Sequence, residues 1–222
     1  MLKKKTKIKA VIFDLDGVLV DSEPIESAAL EIVLKEYGKT PKYNNEGLIH
    51  TVGLTEGVYE KLIDEYALDV ELDELKEKKR KFFRMLVQKH LLAIPGALQF
   101  IRMLKNQGLK TAIASNRLKE LVFVMIKKVK AEHLFDVIIG YSEGIKHKPH
   151  PDIYLMTANE LHINPSRCIA IEDSETGIFA AKGAGMKVIA ITSSYTRSHD
   201  FSKADKIVKS FSEISLDLIY NL

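Results

Sequence analysis

Apolar positions along this chain gather in short blocks of strand length, spaced by longer stretches with helical periodicity. The blocks fall at residues 8–13, 109–114, 137–139, 168–171 and 187–191, with a last short one at 206–208. Blocks that are apolar on both faces predict strands buried on both sides, as in a parallel sheet. The intervening stretches carry helix punctuation. "PGALQFIRMLKNQG" has Pro95 and Gly96 at its entry, Leu98, Ile101 and Leu104 on one face, and Gly108 as a stop. "DSETGIFAAKGAG" offers Asp173 or Ser174 as N-cap and Gly183 or Gly185 as exit. A final helix is predicted near residues 211–220. Strands alternating with helices predict right-handed βαβ units and an α/β, doubly wound, mostly parallel sheet.

Residues 21–93 break that rhythm. Helical patterns follow one another at 24–37, 55–66 and 71–91, with no buried strand between. The expected organisation is an α/β core over residues 1–20 and 94–222, with a helical domain over 21–93 inserted straight after the first strand.

Ligands of open α/β sheets bind beyond the carboxyl ends of the strands, so each strand end becomes a place to look for chemistry. The first, in "VIFDLDGVLVDSEP", carries Asp14 and Asp16; the second, in "TAIASN", carries Ser115 and Asn116. "GIKHKPHPDIY" follows the third with Lys148, and the fourth, "CIAIEDS", carries Glu172 and Asp173. Two carboxylates about 4 Å apart at an effective dielectric near 20 repel by roughly 4 kcal/mol. Four converging acids therefore call for a hard divalent cation, and an all-oxygen set suits Mg²⁺. No histidine stands beside these four acids in the sequence, which disfavours zinc. Such a metal, a lysine and a hydroxyl together receive the oxygens of a phosphoryl group. Asp14, ending the strand, is placed to attack phosphorus, and Asp16, turned by Gly17, to serve as general acid and base.

Composition narrows the picture further. The 222 residues are 46% hydrophobic and 28% charged with a formal net charge of +3, ordinary for a soluble protein and too mild for a nucleic-acid partner. No apolar run reaches membrane-spanning length, and the basic start lacks the apolar region of a leader. The single cysteine, Cys168, fits a reducing cytoplasm and reads as a buried structural residue. "KEKKRK" reads as the solvated face of a helix whose other face carries Leu72, Leu75, Phe82 and Leu86. "GKT" at 38–40 lacks the earlier glycine and the strand of a phosphate loop. Asn116 is a candidate for orienting a phosphate; Arg117 is a weaker one.

With these residues in place, the chain resembles the haloacid dehalogenase superfamily of phosphatases and phosphomutases. The likeness rests on "FDLDGVLVDSEP", "PGALQFIRMLKNQGLKTAIASN", "KPHPDIYLMTANEL" and "CIAIEDSETGIFAAKGAGMKVIAI", in the family's order. It implies a Rossmann-like sheet with an all-helical cap inserted, a cap that closes over substrate. It also implies Asp14 as nucleophile, and Asp16 as acid/base with its backbone carbonyl on Mg²⁺. Ser115 and Lys148 would sit on the phosphoryl group, and Asp173 with Glu172 on the metal. The chain looks most like the β-phosphoglucomutase-like branch, which includes sugar-phosphate phosphatases. Glu26 stands where the mutases carry a histidine, and Glu56 where they carry a cap arginine; both differences favour hydrolysis over isomerisation. Asp16 argues against carbon–halogen chemistry. The expectation is a cytoplasmic, monomeric, Mg²⁺-dependent phosphomonoester hydrolase of a small phosphorylated metabolite, acting through an aspartyl-phosphate, with no nucleic-acid or membrane partner. A sugar phosphomutase is the alternative, and a receiver-like phospho-acceptor module ranks behind both.

Overall fold

The structure, a computed structural model, describes residues 7–44, 47–48 and 56–222. In chain order the first elements are β1 (Ala10–Phe13), α1 (Glu23–Glu36), β2 (Tyr43–Asn44), β3 (Gly47–Leu48), α2 (Glu56–Tyr66) and α3 (Leu72–His90). Then follow α4 (Ala97–Asn106), β4 (Lys110–Leu118), α5 (Lys119–Lys128), β5 (Val137–Tyr141) and α6 (Asp152–Glu160). The chain continues through β6 (Cys168–Glu172), α7 (Glu175–Gly183), β7 (Lys187–Ile191), β8 (Lys206–Val208) and α8 (Leu216–Asn221). It divides into two compact units, residues 1–20 with 93–222, and residues 21–92.

In the first unit six strands form one sheet in the order β5-β4-β1-β6-β7-β8, every pairing parallel. The doubly wound α/β architecture is as the sequence predicts. β1 is central, and all four of its residues are buried. Its even positions, Ala10 and Ile12, pack with Ala112, Ala170 and Tyr154 on one face. On the other, the Phe13 ring meets Phe100 and Phe135 edge-on at 6.2 and 6.3 Å. Register then does the placing. Phe13 pairs with Ile113 of β4 and Ile171 of β6, so the residues just beyond these three emerge at one level of one edge.

Two details depart from the expected elements. β4 runs on to Leu118, with a register shift between Ser115 and Leu118, so residues 115–117 extend the strand rather than leaving it. The helix expected over 211–220 is split. Residues 211–213 form a single tight turn, and α8 starts afresh because Ser215 Oγ accepts the Leu218 N–H at 3.1 Å.

The second unit packs α1, α2 and α3 around Leu30, Val33, Leu34, Leu62 and Leu75, and it also carries a small antiparallel ladder between β2 and β3. Leu75, Lys79, Phe83 and Val87 recur every four residues along α3 and are all buried. Lys79 of the supposedly solvated "KEKKRK" face therefore falls on the apolar stripe, where it pairs with the buried Glu26. Thr55 and the side chain of Glu56 lie outside the described residues. Among those described, no helix is long and apolar enough to cross a membrane.

Candidate active site

Asp14 leaves β1 with its N–H donated to Ile171 O at 2.9 Å, which holds it between the ends of β4 and β6. Lys148 reaches it from the loop before α6. Its Nζ donates to Asp14 Oδ1 at 2.5 Å, to Glu172 Oε1 at 2.6 Å and to the Ala114 carbonyl at 2.9 Å. The lysine is buried, as are Asp14 and Glu172, so these pairs act in a poorly solvated setting. Tyr154, one turn into α6, donates its hydroxyl to Glu172 Oε1 at 2.5 Å.

Asp173 completes the acidic group. One carboxylate oxygen from each of Asp14, Glu172 and Asp173 lies within 4.8 Å of the others. Asp16, in the turn after Asp14, is forked by Arg117, whose Nε and Nη2 donate to its two oxygens. The turn depends on Gly17, at φ +71°, where an added Cβ would run into the Asp173 carboxylate. Ser115 is buried, and its Oγ accepts the Arg117 N–H at 3.1 Å. Asn116 turns its side-chain oxygen to the Lys148 N–H at 2.9 Å, so it positions the lysine segment. Asp14, Asp16, Ser115, Asn116, Lys148, Glu172 and Asp173 thus all converge on one edge of the sheet. His147 instead stacks on Tyr141, ring centroids 4.0 Å apart.

The charges do not balance. Four carboxylates face two cations, Lys148 and Arg117, leaving an excess of two negative charges. Burial, opposed by Lys148 and reinforced by Glu172 and Asp16, pushes Asp14 up to about 7. Burial and then Asp14, Glu172 and Asp16 hold Asp173 well above the usual carboxylate range. Lys148 is held above its ordinary value, because Asp14 and Glu172 outweigh the burial that would lower it. An all-oxygen set with two surplus negative charges and a half-buried acid fits a hard divalent cation. Far from it, at the start of β6, burial pushes the Cys168 thiol up to about 12, in keeping with a structural role.

One residue of this site escapes a sequence reading, and a second is ranked too low by it. Tyr154 sits in an apolar helix face and is indistinguishable there from an ordinary core aromatic. Arg117 ranks below Asn116 in the sequence, yet the structure sets it directly on Asp16.

Comparison with known proteins identifies the family. A family model described as haloacid dehalogenase-like hydrolase matches residues 11–191. The chain belongs to that family. Among its members, a bifunctional riboflavin kinase/FMN phosphatase of Arabidopsis thaliana is 33% identical over 209 residues, 93% of this chain. The chain spans about half of that protein, 54% of its length. A phosphorylated carbohydrates phosphatase of Thermotoga maritima is 31% identical over 82% of this chain and 84% of its own. The crystal structure of CbbY from Rhodobacter sphaeroides in complex with phosphate superposes with a TM-score of 0.84 at 27% identity, covering 97% of this chain and 100% of that one.

Proposed function

We propose that this member of the family is a Mg²⁺-dependent phosphatase of small phosphorylated metabolites, sugar phosphates among them. The observation that carries the reading is the Asp14–Lys148–Glu172 cluster with Asp173 beside it, held on three separate segments at one sheet edge. Asp14, Asp173 and Glu172, with the backbone carbonyl of Asp16, would hold the ion. When bound, the metal supplies charge neutralisation for the acids and for the phosphoryl oxygens.

The protein's own groups carry the transfer. Asp14 attacks phosphorus, forming an aspartyl-phosphate as the bond to the leaving oxygen breaks. Asp16 gives that oxygen a proton, then takes one from the water that hydrolyses the aspartyl-phosphate and restores Asp14. Lys148 fixes Asp14 and, with the Ser115 hydroxyl, faces the charge that builds on the phosphoryl oxygens. Residues 21–92 serve as the cap that excludes bulk water. Glu26, occupied by Lys79 inside that unit, supports hydrolysis over isomerisation. The single buried cysteine supports a cytoplasmic setting, and the likeness to the superfamily supports a monomer.

The direct test is phosphate release from p-nitrophenyl phosphate and a panel of phosphorylated metabolites. Turnover should require Mg²⁺, stop with EDTA and vanish in Asp14→Asn. A panel-wide absence of Mg²⁺-dependent release overturns the reading.

A further inference from the structure

The segment between β5 and α6 carries more than Lys148, and it is fastened at several points. The Ile145 side chain is buried in the core, and the Lys146 N–H donates to Asp152 Oδ2 at 3.3 Å. The Lys148 N–H donates to Asn116 Oδ1 at 2.9 Å, and its ammonium adds the bonds to Asp14, Glu172 and Ala114. Between these anchors His147 is exposed, its ring laid on Tyr141 with centroids 4.0 Å apart and planes 18° from parallel. Tyr141 is partly buried and packs against the same core as Ile145. The segment is thus held without the stack, whose lower ring has a fixed floor.

The place of these rings gives them a use. Tyr141 ends β5 and pairs with Leu118 of β4, next to the Arg117 that forks Asp16, so it stands at the acidic edge of the sheet. β5 lies two strands from β1, which puts Tyr141 roughly 10 Å across the sheet from Asp14. His147 directly precedes the lysine that bonds Asp14, with about 3.8 Å between their Cα atoms. The pair therefore makes a flat shelf beside the seat proposed for the phosphoryl group. A pentose and a ring together cover the span from the attacking carboxylate to that shelf. Flat aromatic rings stack on such surfaces whatever their edges carry, because each has a π-face. A simple sugar phosphate has no such face to offer. Because the shelf is already formed, little ordering is spent when a ring lands on it.

We infer that Tyr141 and His147 form a stacking subsite for the leaving group, so that the enzyme favours phosphomonoesters bearing a planar aromatic ring, such as a nucleoside 5′-monophosphate. The inference rests on the phosphatase reading and names a substrate class for it.

Two matched pairs isolate the ring: AMP against ribose 5-phosphate, and FMN against ribitol 5-phosphate. The native enzyme should favour the ring-bearing member of at least one pair in kcat/KM by about tenfold or more, the scale of one base–aromatic stack. His147→Leu should bring that ratio close to one, and His147→Phe should keep it. No preference in the native enzyme overturns the inference. So does a ratio that survives His147→Leu, or an equal loss on both members of a pair, which would make the stack only a fastening for the Lys148 segment. A second arm needs no turnover and keeps both rings in place. In Asp14→Asn with Mg²⁺, the ring-proton NMR signals of His147 and Tyr141 should move upfield with AMP or FMN and not with ribose 5-phosphate or ribitol 5-phosphate. Equal shifts with all four, or none with any, overturn the inference. If the native enzyme releases no phosphate from anything, the phosphatase reading fails, and these signals alone decide for or against the subsite.

Discussion

The backbone of Gly17 passes so close to Asp173 that a Cβ on the glycine would lie 2.0 Å from the aspartate Oδ2. Gly17 also has φ +71°, a conformation that costs a side-chain-bearing residue about 1–2 kcal/mol. Gly17→Ala should therefore displace the Asp173 carboxylate, lower stability by at least that amount and remove most phosphatase activity. In the double variant Gly17→Ala/Asp173→Ala the clash disappears. Chemical denaturation should show stability partly regained, while activity stays lost. A fully active Gly17→Ala enzyme would remove Asp173 from the site.

Tyr154 should matter through Glu172. Its hydroxyl bonds Glu172 Oε1, which also accepts from Lys148. Tyr154→Phe removes one donor from a fully buried carboxylate and should cost about 1–3 kcal/mol of stability. Looser positioning of Lys148 should lower kcat more than it raises KM. Denaturant titration and steady-state kinetics on the same variant check both.

The pH response follows from the crowded acids. Asp14, at about 7 in the folded protein, binds more protons there than unfolded between about pH 4 and pH 7. Stability without metal should fall as pH rises through that window, and Asp173 shifts in the same sense. Lys148 stays charged throughout and does not alter the slope. Magnesium held by these acids, as proposed, would displace these protons, so the rise in Tm on adding it should grow from about pH 5 to about pH 8. Melting curves in EDTA and in Mg²⁺ across that range measure it; a difference independent of pH would contradict it.

Inside the helical unit, Lys79 and Glu26 are 6% and 7% exposed and pair with each other. Lys79→Met alone leaves a buried carboxylate without its cation and should destabilise by about 3–5 kcal/mol. Adding Glu26→Gln should recover much of the loss. Equal midpoints for the single and double variants in urea would show that the pair is not coupled.

These residues also mark how far the sequence could be read. The sheet, its parallel sense and the acids at its edge were legible because they follow from local patterns: apolar blocks, turn glycines, carboxylates next to strand ends. Lys79 was hidden by its charged neighbours, and only the four-residue spacing from Leu75 to Val87 puts it inside. The break before α8 turned on whether Ser215 caps a helix or rides within one, a local choice settled by its bond to Leu218. Tyr154 and Arg117 lay further out of reach. What each does depends on a partner 18 and 101 positions away, across a fold the pattern outlines without aiming its side chains.

Where the chain departs from the sheet and comes back to it, Val20 and Ala93 form an antiparallel bridge, and Ile94 N–H bonds Leu19 O at 2.9 Å. The detour of residues 21–92 thus begins and ends at neighbouring positions, like a bracketed clause. A foreign segment whose own ends lie side by side can be spliced between them without shifting a single rung of the parallel ladder. The catalytic edge and the inserted helices are in this sense separately replaceable parts.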